Sequence, residues 1–311
     1  MVIAMIFFII GIVIIIIVLS FICYLIAFYS PHKKQNDDLA LFNLPALKRL
    51  EKGLKENIKK VQEIPYKDVE IKSYDGLKLH ANYYHKKDGA ILALCFPGYR
   101  GTPVRDFSGG IKAYLDMGYN VLHVHQRAHK ESSGHTITFG IKESKDVLTW
   151  IKYVLKRFGT KQKIILCGIS MGASTVLLAS ENKLPKNVKG IVADCPFSSP
   201  KAIIKKVTEK DMHIPFFLAY PFVWLGGVIF GHFNMNGGVV KKALKNNKLK
   251  ILLIHGEEDS FVPCQMSQEI ADNDKNIDIE TFPGADHGLS FVVDQERYER
   301  IVKEFIDRVC K

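Results

Sequence analysis

The sequence predicts an α/β fold: a mostly parallel sheet covered by helices on both faces, with an inserted helical cap and one apolar helix ahead of it. Three observations carry this. Short, near-continuous apolar runs such as "AILALCF", "KIILCGI" and "LKILLIHG" recur along the chain, as strands buried on both faces do. Segments of helical pattern separate most of them, among them Ile141 to Phe158 and Met171 to Asn182. Strands alternating with helices build parallel sheets. The first 31 residues, finally, contain no charged side chain.

That first stretch is the first element. About 20 apolar residues span a hydrocarbon core, so Met1 to Pro31 is long enough to cross a bilayer with some tilt. A cleaved secretory signal is expected to show a basic start, a shorter apolar stretch and a small-x-small cleavage site. None of these is clear, so an uncleaved transmembrane anchor over residues 1–31 is the expectation. Lys33 and Lys34 follow it and no Lys or Arg precedes it, which by the positive-inside rule leaves the rest of the chain in the cytoplasm. Residues 32–65 are lysine-rich, with Leu41, Leu44, Leu47, Leu50, Leu54, Ile58 and Val61 at helical spacing. They read as a basic amphipathic stalk or as a helix packed on the domain that follows. The six cysteines include no C-x-x-C pair, which disfavours a zinc site of that kind and fits a reducing compartment.

From Tyr66 to the C-terminus a single domain is expected. "KDVEIKS" and "LKLHANYY" alternate apolar and polar residues around "YDG", a hairpin pattern. "AILALCF", "YNVLHVH", "KIILCGI", "KGIVADC", "LKILLIHG" and "IDIETF" follow as buried strands. One segment, Pro196 to Lys250, is too long for an ordinary loop. It holds nine lysines against Glu209 and Asp211, in a chain of net charge +11. Its middle includes "IPFFLAYPFVWLGGVIFG", in which Pro215, Pro221 and several glycines argue against a second span and for a helical cap over the sheet. Phe216, Phe217, Trp224 and Phe230 there would either line a pocket for a lipophilic acyl group at the bilayer or pack the cap onto the sheet. The lysine runs lack a nucleic-acid-binding motif and adjoin the anchor. They read as solvated or membrane-facing surface, with membrane lipids as the expected contact and nucleic acid not expected.

The chemistry sits where strands end, since open parallel sheets bind ligands at the carboxyl ends of their strands. "ILCGISMGAST" flanks Ser170 with glycines at both −2 and +2, the pattern of a sharp strand-to-helix turn that exposes a hydroxyl. "EEDSFVP" offers Asp259 after one later strand, and "ADHGLS" offers His287 after the next. A serine hydroxyl is a poor nucleophile until a base takes its proton, and that base needs an acid to hold its tautomer. Asp194 in "VADCP" also follows a strand and is the rival acid, with Asp259 preferred; Asp286, beside His287 in sequence, is expected to point elsewhere. In "PGYRGTP" the backbone N–H of Tyr99 is placed to join that of Met171 in stabilising an oxyanion. His123, His125 and His129 invite a metal reading, but no Cys or Asp completes a ligand set nearby. Arg127 and His129 are expected to brace their loop instead, and neither metal nor cofactor is expected.

On "FPGYRGTP", "QRAHKESSGHTITFG", "GISMGAS", "ADCPFSSP", "HGEEDSFVP" and "GADHGLS", the chain from about Tyr66 onward resembles the α/β-hydrolase superfamily. Within it, the chain is similar to anchored bacterial serine hydrolases of the prolyl-oligopeptidase-like and serine-aminopeptidase-like groups. The resemblance implies Ser170 as nucleophile, Asp259 as acid and His287 as base, acting on an ester or thioester. A peptidase is the nearest alternative, and a tethered binding module without catalysis a more distant one. The expected partner is a small-molecule or lipid-like acyl substrate, with no obligate protein partner. Two positions depart from the family pattern: Pro97 where His is common, and Lys130 where glycine is common.

Overall fold

Eight strands form one sheet in the order β1-β2-β4-β3-β5-β6-β7-β8 in the computed structural model, which describes residues 1–31, 47–107 and 109–311. The strands are β1 (Lys67–Lys72), β2 (Lys78–Tyr84), β3 (Leu92–Phe96) and β4 (Asn120–His125), then β5 (Ile164–Ile169), β6 (Val188–Asp194), β7 (Lys250–Gly256) and β8 (Ile277–Phe282). β2 runs antiparallel to both β1 and β4, and every pairing from β4 through β3 to β8 is parallel. The β1–β2 hairpin turns at "YDG", where Gly76 takes φ +93°, a left-handed angle that glycine adopts without strain. Each strand coincides with one of the segments read from the sequence.

The first half contributes α1 (Val2–Ala27), α2 (Leu47–Gln62), α3 (Pro103–Asp106), α4 (Gly110–Asp116), α5 (Glu143–Phe158) and α6 (Met171–Ala179). The second contributes α7 (Pro200–Lys206), α8 (Phe216–Ile229), α9 (Val240–Ala243), α10 (Gln265–Ala271), α11 (Ser290–Val293) and α12 (Gln295–Cys310). Alternate strand residues face opposite ways, so Leu92, Leu94 and Phe96 of β3 enter one core while Ala93 and Cys95 enter the other. α5 closes the first core with Val147, Trp150, Ile151 and Val154 at helical spacing. α4 and α12 close the second with Ile111, Tyr114, Val302, Phe305 and Ile306. α2 lies on that same second face: Leu54, Ile58 and Val61 are buried, and Val61 joins its core. Leu41 and Leu44 of the proposed stalk lie outside the described residues.

A third cluster sits above the carboxyl ends of the strands, beneath the cap segment that holds α7, a π-helical turn (Val207–Asp211), α8 and α9. α8 has 14 residues, too few to span a bilayer. The C-terminal part of α1 crosses it, and a Cβ on Gly226 would come within 2.5 Å of the Ser20 carbonyl oxygen. Tyr24 and Phe28 are buried beside Val223 and Phe233, while most of Val2 to Leu19 is exposed. One end of the apolar helix is therefore part of the folded domain.

Candidate active site

Ser170 sits between β5 and α6 with φ 54° and ψ −118°, a strained conformation for any side-chain-bearing residue. The two flanking glycines make the turn possible by letting backbone approach. A Cβ on Gly168 would lie 2.3 Å from the Gly172 carbonyl oxygen, and one on Gly172 would lie 2.0 Å from that of Phe96. Ser170 precedes α6 without capping it through its side chain. Its hydroxyl is left for another partner, and the Ser170 N–H donates to the Asp194 carbonyl at 2.7 Å.

That partner arrives from beyond β8. His287 Nε2 is 2.9 Å from Ser170 Oγ, and His287 Nδ1 is 2.8 Å from Asp259 Oδ2. The turn after β7 holds Asp259 by giving its Oδ1 two backbone donors, Phe261 N–H at 2.9 Å and Val262 N–H at 2.7 Å. His255 Nε2 stands 3.2 Å from Oδ2. Burial works to raise the Asp259 pKa, but His287 and the hydrogen bonds from His255 and His287 outweigh it and hold the group well below the usual carboxylate range. A hydroxyl, an imidazole and an ionised carboxylate in series allow the imidazole to take the hydroxyl proton.

The other sequence candidates fall on either side of this series. Asp194 is buried at the end of β6 and accepts from Tyr298 Oη at 3.0 Å on Oδ2, leaving Oδ1 without a hydrogen-bond partner among the described residues. Desolvation pushes its pKa up to about 6, against the lowering effect of the Tyr298 hydrogen bond. Asp286 turns to Ser260, accepting from both its N–H and its hydroxyl on Oδ1. Met171 begins α6, and Tyr99 follows β3 in a loop beside the serine, where a Cβ on Gly98 would lie 3.4 Å from Ser170 Cβ. Cys195 Sγ lies within 4.8 Å of ligand-type atoms of Asp259 and His287, but those two groups are engaged with each other. Burial also raises the Cys195 pKa well above its usual value.

The three histidines do not converge. His129 Nε2 accepts from the Arg100 N–H at 3.0 Å, so its Nδ1 donates to the Arg127 carbonyl at 2.8 Å. His125 pairs with Glu131, while His123 is fully buried against Phe107. Arg127 bridges Asp146 and Asp75 and braces the loop after β4. Lys130 in that loop takes φ +45°, a physical reason for the glycine common at this place in the family. Sequence reading missed Asp106, which accepts the Gly98 N–H at 2.7 Å and fixes the loop beside the serine. It also missed Tyr298. Asp106 belongs to no motif or periodic pattern; Tyr298 sits on the apolar face of α12 with Val302, Phe305 and Ile306, but helical spacing does not say where its hydroxyl reaches.

Likeness to known proteins follows this geometry. A curated relative from Bacillus subtilis (strain 168), "Uncharacterized protein YqkD", is 22% identical over 197 residues, 63% of this chain and 65% of that protein. This chain thus spans just under two thirds of that relative's length. The solved Pyrococcus furiosus esterase Pf2001 is 26% identical, with 80% of this chain and 95% of that chain covered at a TM-score of 0.63. Est1E from Butyrivibrio proteoclasticus shares the fold, at 20% identity, 78% and 99% coverage and a TM-score of 0.59. Residues 105–311 match the prolyl oligopeptidase family. That match takes in Ser170, Asp259 and His287 together with every strand from β4 to β8, and the chain belongs to this family of α/β-hydrolases.

Proposed function

We propose that the protein is a membrane-anchored serine hydrolase that cleaves a carboxylic ester or thioester through a covalent acyl-enzyme. The single observation that carries this reading is the hydrogen-bonded series Asp259, His287, Ser170. Ser170 Oγ attacks the acyl carbonyl carbon while His287 Nε2 takes its proton, and Asp259 holds Nδ1–H and supports the imidazolium. The Tyr99 and Met171 N–H groups receive the oxyanion of the tetrahedral intermediate. As the bond to the leaving group breaks, His287 returns the proton to it. A water deprotonated by His287 then attacks the acyl-enzyme, releasing the acid and restoring Ser170. The cycle needs no cofactor.

α1 is the anchor in this reading. Val2 to Leu19, the part free of the domain, is about 27 Å long at 1.5 Å per residue, close to a hydrocarbon core. Burial of Tyr24 and Phe28 in the cap core supports an anchor that stays attached rather than a leader that is removed. Lys33 and Lys34 favour a cytoplasmic domain, so protease added to intact cells should leave it uncut; complete digestion across a sealed membrane reverses the orientation.

A lipophilic acyl group is the proposed substrate class. Phe217 and Leu218 lie three helical turns from Val228 and Ile229, so all four share one face of α8, and all four are exposed. Gly226 and Phe230, on another side of α8, meet α1, and an exposed apolar face on a helix packed beside an anchor is suited to lipid rather than water. Of the other aromatics, Phe230 packs on Phe21 of α1 and Phe216 on Tyr220, while Trp224 donates to Asn234. Nearer the serine, the Phe261 ring stands edge-on to His287 at 5.2 Å. The full-length enzyme should label with a fluorophosphonate, and Ser170→Ala should abolish labelling. Its kcat/KM should rise with acyl length across p-nitrophenyl esters. A preference for acetyl esters removes the lipophilic substrate, and faster cleavage of aminoacyl amides favours the peptidase reading.

A further inference from the structure

We infer that the chain leaving the membrane helix, Ala27 to Tyr29, is a positioning element of the active site. It holds the Tyr99–Arg100 turn in place and so couples the seating of α1 to turnover. The inference rests on the proposed role of the Tyr99 N–H as an oxyanion donor.

The turn is closed by the Gly101 N–H donating to the Gly98 carbonyl at 3.0 Å, with Arg100 in its third position at φ +52°. Glycine is favoured at such a position, and a residue with a side chain persists there only when its surroundings over-determine it. On the inner side, Asp106 holds the Gly98 N–H, His129 holds the Arg100 N–H, and Gln126 donates to the Pro97 carbonyl at 2.7 Å. On the outer side, two consecutive side chains of the turn reach the end of α1. Tyr99 Oη donates to the Ala27 carbonyl at 3.0 Å, and the Arg100 guanidinium donates to the Tyr29 carbonyl at 2.7 Å. The same guanidinium lies over the Tyr99 ring, 4.9 Å from its centroid.

Carbonyls at a helix C-terminus lack intrahelical donors and sit at the negative end of the dipole, so a hydroxyl and a cation suit them. The exit itself is fixed to the loop after β4. Ile137 N–H donates to the Phe28 carbonyl at 2.8 Å and Ser30 N–H to the His135 carbonyl at 2.9 Å. Phe139 ties the two sides together, edge-on to the fully buried Phe28 and stacked on Tyr99 at 5.4 Å. A displacement of α1 is therefore passed to the backbone beside Ser170 through short, directed contacts. A shift of about 1 Å in a catalytic group can lower turnover by about a hundredfold.

The test uses the full-length protein in detergent, with three variants. Arg100→Gly keeps the left-handed turn and deletes the tie to Tyr29; Arg100→Lys restores a cationic donor; Tyr99→Phe removes the hydroxyl that reaches Ala27 and keeps the ring. For each, kcat and KM on a p-nitrophenyl ester, Ki for a boronic acid that forms a tetrahedral adduct, Tm and fluorophosphonate labelling are measured. Arg100→Gly should lower kcat on the order of ten- to a hundredfold, with KM within about twofold and boronate affinity falling in parallel. Arg100→Lys should recover most of the loss, and Tyr99→Phe should lose less in the same sense. Unchanged kcat and boronate Ki in folded variants overturn the inference. So does a fall in Tm alone, or a loss that lysine does not rescue. If Arg100→Gly does not fold, Tyr99→Phe decides by the same criteria. Wild type that fails to label overturns the Ser170 reading and this inference with it, whereas labelled wild type with insensitive variants overturns this one alone.

Discussion

The turns after β6 and β7 each deliver a buried aspartate to the same side of the sheet, and they treat it in opposite ways. Asp194 and Asp259 are almost equally buried, at 4% and 7% exposed. Asp259 receives two backbone N–H groups and His287, with His255 close by, and stays ionised. Asp194 receives one tyrosine hydroxyl, and its pKa rises to about 6. Burial raises both, so the His287 charge and the donors around Asp259 decide which carboxylate titrates low and which titrates high. The Asp194 backbone serves the site by another route, through its carbonyl on the Ser170 N–H. One turn supplies a charged side chain and the other a main-chain brace.

The largest expected effect tests whether the Asp259 side belongs to a working unit at all. Ser170→Ala and His287→Ala should each lower kcat by several orders of magnitude, and the double variant by little more, because the residues act together. Additive losses would break the unit. Next, Asp259→Asn should lower kcat about ten-thousandfold by allowing the wrong imidazole tautomer, while Asp194→Asn stays within about tenfold. If Asp194→Asn is far the more damaging, the two turns have been assigned the wrong way round.

Stability against pH should separate the two aspartates by sign. The Asp194 pKa is raised from 3.8 to about 6, so the native state holds its proton longer and loses stability as pH rises through that window. Asp194→Asn should therefore match wild type in Tm near pH 4 and exceed it above pH 6. Asp259 is depressed, so its contribution is present above the ordinary carboxylate pKa and lost as pH falls toward its folded value. The Tm deficit of Asp259→Asn should then be largest near neutrality and shrink below about pH 4. Equal pH dependence in the two variants would erase the contrast. The smallest effect is expected from Tyr298→Phe, which removes the hydroxyl that donates to Asp194 at a cost of about 1–3 kcal/mol, read by denaturant unfolding.

By itself the sequence determined the elements. Apolar runs, helical spacing and the "YDG" turn are local patterns, and all eight strands lie where those patterns place them. The glycines around Ser170 mark its turn for the same reason, since the constraint acts within a few residues. Tertiary structure decided what surrounds each candidate. "VADCP" and "HGEEDSFVP" both read as a strand followed by an acid, and nothing within either says which acid meets His287. The Tyr298 hydroxyl reaches Asp194 across 104 positions of the chain, and His287 reaches Ser170 across 117. Composition could mark α1 as long and apolar enough to span a membrane, but not that its last turn reaches Tyr99, 72 positions away. Local periodicity sets which residues form an element. The charge, tautomer and strain of a group depend on donors that only the packed sheet brings within 3 Å.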